Sequence, residues 1–187
     1  VYADDFIAGF QYPWEAERFY EQLRSRMVKF GLELEENKSR IVESGRYLAS
    51  LKAKRGESTR LGTFDFLGFT FYCGRTTKGN PWIMPKTSSK KFRQKVKEIK
   101  IWLYNNKEQK LGKLMYMLNV KLVGHYRYYG ISFNSRMISN YKQQVRELLY
   151  KVLNRRSEKK SYTREGFIEM MKYYKLVNPK IYYSLFC

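Results

Sequence analysis

Residues 64–103 read FDFLGFTFYCGRTTKGNPWIMPKTSSKKFRQKVKEIKIWL, and the spacing of apolar side chains changes within them. Over residues 64–73 the rings of Phe64, Phe66, Phe69 and Phe71 flank Leu67-Gly68, and the segment reads as strand. Lys78-Gly79-Asn80-Pro81 is a turn into a partner strand at Trp82-Ile83-Met84. Past Ser88 the period becomes helical, with Phe92, Val96, Ile99 and Leu103 three or four residues apart. A strand period before Pro85 and a helical period after it predict an α+β chain: antiparallel hairpins with one helix, then an all-α bundle.

Working outward, Leu111, Leu114, Leu118, Leu122 and Tyr126 mark a second helical stripe. Ile138, Tyr141, Val145, Leu148 and Val152 mark a third. A shorter helix is expected from Thr163, as N-cap, to Tyr174. Toward the N-terminus, Pro13, Glu15 and Glu17 open a helix carrying Phe19, Leu23 and Met27, and Gly31 stops it. VYADDFIAGF before it reads as a hairpin turning at Asp4-Asp5, and a short strand is expected through Ile41-Val42. The charged stretch Gly45 to Arg60 reads as a loop or weak hairpin.

Charge divides the chain at the same place. Lys and Arg number 37 against 17 Asp and Glu, a net +20. Residues 1–85 carry 13 basic and 11 acidic groups, whereas residues 86–160 carry 20 and 4. Such an excess self-repels unless a polyanion binds, so nucleic acid is the expected partner of the second half. Domains are accordingly expected at 1–85 and 86–187. Cys73 and Cys187 have no metal-ligand spacing, and no apolar run is long enough for a bilayer. These features, with no signal peptide, lead to the expectation of a cytoplasmic and most simply bacterial protein without a membrane partner.

Chemistry narrows to one pair. Adjacent carboxylates such as Asp4 and Asp5 repel, and a divalent cation relieves the conflict. Mg²⁺ held by one or two carboxylates and substrate phosphates suits phosphoryl or nucleotidyl transfer, so both residues are candidate catalytic metal ligands. His125 is the only histidine, is expected to be packed, and receives no role. Lys90, Lys91, Arg93, Lys95, Lys97 and Lys100 decorate the first bundle helix with Glu98 as the only acid in that run. Arg127 lies among Tyr126, Tyr128 and Tyr129, two of which are expected in the core. Arg155, Arg156, Lys159 and Lys160 form the last dense basic cluster.

The order of segments adds a resemblance. Tyr2-Ala3-Asp4-Asp5 resembles the Tyr-x-Asp-Asp hairpin of reverse transcriptases, FGLELEENKSRIV their lysine-bearing segment near the incoming nucleotide, and FDFLGFTF their primer grip. VKLVGHYRYYG and LNRRSEKKSYTREGF with NPKIYYSL resemble the maturase-specific thumb of proteins encoded by group II introns. His125, Glu158 and Arg164 stand where that family often shows Trp, Gln and an aromatic.

The resemblance implies the end of a polymerase palm over 1–85 and a thumb, or maturase domain, over 86–187. Asp4 and Asp5 would hold Mg²⁺ in a two-metal site completed by an aspartate outside the chain. Tyr2, Ala3 and Lys38 would lie near the nucleotide, and Phe66, Leu67 and Gly68 would support the primer. Lys90, Lys91, Arg93, Lys97, Arg127, Arg155, Arg156, Lys159 and Lys160 would bind RNA. Implied partners are group II intron RNA, an RNA template–DNA primer duplex and, in the complete enzyme, dNTP. This sequence alone, without fingers or the third aspartate, is expected to bind RNA and not to polymerise. Alternatives are a splicing cofactor that has lost polymerase activity, and a domesticated or defence-associated reverse transcriptase.

Overall fold

A computed structural model describes residues 5–35, 39–45, 48–56, 61–155 and 162–185. In order these form α1 (Pro13–Lys29), α2 (Leu48–Lys54), β1 (Phe64–Phe66), β2 (Phe69–Arg75), β3 (Pro81–Thr87), α3 (Ser89–Asn105), α4 (Leu111–Tyr129), α5 (Ser135–Leu153) and α6 (Arg164–Tyr173). The strands make one antiparallel sheet in the order β1-β2-β3. An α+β architecture with a helical second half is therefore present. Two compact units emerge: Val1–Phe66 with Phe71–Ile83, and Leu67–Thr70 with Met84–Cys187.

In the first unit α1 opens on Pro13 and on the Glu15 carboxylate, which accepts the Tyr12 N–H at 3.2 Å. It stops as expected at Gly31. There the Leu32 and Gly31 amides donate back to Met27 and Val28, a Schellman closure with Gly31 at φ +67. The return arm of the expected hairpin goes no further than a β-bridge at Asp5, its first arm lying outside the described residues, and the expected strand at Ile41-Val42 is not formed. Residues 6–10 carry no ladder, and the rings of Phe6 and Phe10 instead turn onto Phe19 of α1, 6.5 and 5.1 Å between centroids. Ile41-Val42 are extended without a ladder; Gly62 donates to the Glu43 carbonyl at 3.1 Å, a single bond rather than a register. The stretch expected as a loop contains α2, where Leu-Ala-Ser-Leu-Lys-Ala-Lys supplies good helix formers, and Lys52 bridges to Glu43 at 2.5 Å. Residues 64–73, expected as one strand, are two, because both Leu67 (φ +48) and Gly68 (φ +80) enter the left-handed region and reverse the chain.

The second unit holds the main core. Along α3, α4 and α5 the fully buried side chains include Leu103, Leu114, Leu118, Leu122, Tyr126, Val145, Leu149 and Val152, and α5 packs on both α3 and α4. The third stripe runs through Leu149 rather than Leu148, since four-residue steps after Tyr141 and Val145 track the buried face more closely. Ser88 caps α3 by accepting the Lys91 N–H, and Thr163 caps α6 by accepting that of Gly166. Arg164 closes α6 onto α5, its guanidinium 4.4 Å from the Tyr150 ring centroid and 3.2 Å from Glu147.

Two long-range fastenings complete this unit. Asn134, fully buried in the α4–α5 loop, accepts the Thr87 N–H and donates to Thr87 Oγ1 and the Tyr129 carbonyl, all at 2.8 Å. Residues 175–185 return as a strap. Asn119 binds Lys175 and Val177, Lys142 binds Asn178, and Ile131 pairs in parallel with Tyr183. Among the described residues no helix is long and apolar enough to cross a membrane.

Candidate nucleic-acid interface

Lys90, Arg93, Lys97 and Lys100 are spaced three, four and three residues apart and therefore lie along one side of α3. All four are exposed, as is Lys91 beside them. Lys95 is not part of this ridge: it is half-buried and bonds Glu98 at 2.8 Å. That hydrogen bond, with one from Gln94, holds the Glu98 carboxyl below the usual carboxylate range, against partial desolvation. The single acid in the run is thus matched to Lys95, and the ridge cations stay unmatched in sign.

The next position on this line is Tyr104, and its hydroxyl accepts from Arg155 at 2.5 Å while the guanidinium lies 6.0 Å from its ring centre. Arg155 lies just past the C-terminal end of α5 and so joins the basic line that runs about 21 Å along α3 from Lys90 to Tyr104. Sequence spacing could not show this partnership, which joins residues 51 apart. Arg127 is exposed on α4 and is not joined to the ridge. Arg156, Lys159 and Lys160 lie outside the described residues.

The β1–β2 tip belongs to the helical unit. Tyr128 donates its hydroxyl to the Leu67 carbonyl at 3.0 Å, and the Ser88 amide donates to that of Gly68, also at 3.0 Å. Phe69 is buried between the rings of Tyr128 and Tyr129, at 6.0 and 5.3 Å. A Cβ on Gly68 would stand 3.2 Å from the Tyr129 hydroxyl, a tight approach that adds to the preference for glycine set by φ. Phe66, Leu67 and Gly68 are therefore held in a fixed turn, with Leu67 in a conformation that a non-glycine residue adopts at a cost.

As expected, two of the three tyrosines around Arg127 are core: Tyr126 and Tyr129 are buried and Tyr128 is exposed. His125 is packed too, stacked on Tyr141 at 3.7 Å and 15°. Burial, with the nearby Lys95 charge, pushes its pKa down to about 4, so it is neutral at pH 7. Burial raises the Tyr141 and Tyr126 hydroxyls far above the ordinary range. Asp5 is exposed, and Tyr2, Ala3, Asp4 and Lys38 lie outside the described residues. Among the described residues no three His, Cys, Asp or Glu side chains gather as a metal site would require.

Residues 89–174 match the family model of the group II intron, maturase-specific domain. This segment is thus similar to a maturase-specific domain. It begins at the first residue of α3 and ends just after α6, and so contains the basic ridge, the Tyr104–Arg155 pair and the buried α4 tyrosines. Neither the curated proteins nor the solved structures give a match to the chain. The match covers α3 to α6 of the second unit, and the strap after residue 174 lies beyond the matched segment.

Proposed function

We propose that the chain is the C-terminal palm and thumb of a group II intron-encoded reverse transcriptase/maturase, and that its maturase domain grips intron RNA and template–primer duplex through phosphates. The observation carrying this reading is the cationic ridge of α3, unbroken by an acid on its own side and lying inside the matched domain. Phosphate neutralisation releases counterions, so salt dependence is the direct readout. Replacing Lys90, Arg93 and Lys97 together with Gln should reduce the slope of log affinity against log salt by about 2 to 3. An unchanged slope with intron RNA would refute the ridge as its contact.

For the polymerase part, Asp4 and Asp5 are proposed Mg²⁺ ligands, Tyr2, Ala3 and Lys38 nucleotide contacts, and the Phe66–Gly68 turn a primer support. The described residues do not by themselves fit a Mg²⁺ site, since Asp5 stands among them without two further ligands. Asp4→Asn with Asp5→Asn in the full-length enzyme should abolish RNA-templated DNA synthesis and leave RNA binding intact. The family match is to the maturase-specific domain alone, which favours a second reading, an RNA-binding splicing cofactor without polymerase activity. That reading is distinguished by splicing that survives the same double substitution in a protein with no DNA synthesis to lose. A bacterial cytoplasm is the setting proposed for either.

A further inference from the structure

The solvent side of α4 presents groups that the α3 ridge does not use. Lys113, Tyr116, Val120, Gly124 and Arg127 follow one another at steps of three or four residues and so share one line, about 21 Å from end to end. Tyr116 is 71% exposed and Val120 55%, while Lys113 and Arg127 are exposed at the two ends. No Asp or Glu occurs anywhere in α4. The strip therefore combines open aromatic and aliphatic surface with positive charge only.

Gly124 is the second sign. It sits inside a nineteen-residue helix, where glycine is the poorest former after proline, and a Cβ there would meet nothing within 4 Å. Nothing in the fold requires the missing side chain, and its absence leaves the helix backbone open to close approach from outside. The flank of the strip adds another ring. Tyr174 lies against Gly112, its ring 3.8 Å from a Cβ placed there, and Asn119 holds the Lys175 carbonyl. Tyr173, edge-on to Tyr174 at 4.8 Å and 82% exposed, stands at the Lys113 end.

We propose that this face of α4 is a binding site for unpaired RNA. Bases stack on Tyr116 and Tyr173, phosphates pair with Lys113 and Arg127, and the sugar–phosphate backbone passes over Gly124. Unpaired rather than duplex RNA is specified because exposed rings can stack only on bases that are not already stacked within a helix. The inference rests on the reading of the maturase domain as RNA-binding, and adds a site apart from the α3 ridge.

The test is fluorescence anisotropy of the 187-residue chain with two labelled probes. One is an oligouridylate of roughly a dozen nucleotides, the other an RNA duplex of about 16 base pairs. Tyr116→Ala should weaken oligouridylate binding about tenfold and leave duplex affinity and the thermal midpoint unchanged. Gly124→Gln should weaken it as well, with a thermal midpoint equal to or above wild type. Duplex binding retained while neither variant alters oligouridylate affinity would overturn this site alone. So would wild-type self-association in sedimentation that Tyr116→Ala abolishes, since the face would then be an interface between copies. Wild type binding neither RNA would overturn the site together with the RNA-binding reading beneath it.

Discussion

Helices α1 and α3 are both seventeen residues long, and both have well-defined starts, yet α1 buries no residue among those described while α3 buries Ile99 and Leu103. The difference is what each helix meets. Around α3 the facing stripe of α5 removes apolar area from water, while α1 has the rings of Phe6 and Phe10 on one side and leaves Trp14, Val28 and Phe30 exposed. Capping and propensity are enough to define a helix; stability comes from the surface it covers.

The largest expected effect contrasts the two helical surroundings directly. Leu118→Ala, at a fully buried site, should cost about 3 to 4 kcal/mol in chemical denaturation. Phe19→Ala, at a partly exposed one, should cost about 1 kcal/mol, and equal costs would break the contrast. Next comes the polar lock: Asn134→Ala strands the Thr87 amide and hydroxyl in the core and should cost roughly 2 to 3 kcal/mol. A cost under about 0.5 kcal/mol would show that the lock is dispensable.

A third comparison uses pH. Folding lowers the His125 pKa from 6.5 to about 4, so within that window the unfolded chain binds the proton and the folded one does not. Stability contributed by neutral His125 is therefore complete above about pH 6.5 and falls as pH drops toward 4, by at most about 3 kcal/mol. His125→Phe keeps a ring on Tyr141 and should lose less stability than wild type between pH 7 and pH ~4.5. Parallel pH profiles of the two proteins would exclude the effect. The smallest expected change is a gain. The Tyr126 hydroxyl is buried with no hydrogen-bond partner among the described residues, so Tyr126→Phe should raise stability by about 1 kcal/mol or less.

How much of this was legible in the sequence depended on the range of the interaction. The stripes from Phe92 to Val152 announced three helices because every contact that shapes a helix lies within four residues. Thr163 and Gly31 marked helix ends for the same reason. Ile41-Val42 carry a strand propensity that only a ladder could realise, and propensity says nothing of the partner. Leu-Ala-Ser-Leu-Lys-Ala-Lys was hidden by the charges and glycine around it, although each of its residues except serine favours a helix. For the candidate interface, the α3 cations could be read from spacing. The Tyr104–Arg155 pair could not, nor could the Tyr128 hydrogen bond to Leu67, because both join residues more than fifty apart.

The strap fixes an order of events as well as a shape. The α4–α5 hairpin joins neighbours in sequence and can form as soon as it is synthesised. Leu185 donates to the Ser132 hydroxyl from 53 residues away, and Tyr182 and Tyr183 donate to the Gly130 carbonyl. The α4–α5 loop that carries Asn134 is thus incompletely fastened on a nascent chain until residues 182–185 leave the ribosome. The end of α4, whose Tyr129 carbonyl Asn134 holds, waits on that loop in the meantime, and a chaperone or the RNA itself has that interval in which to act.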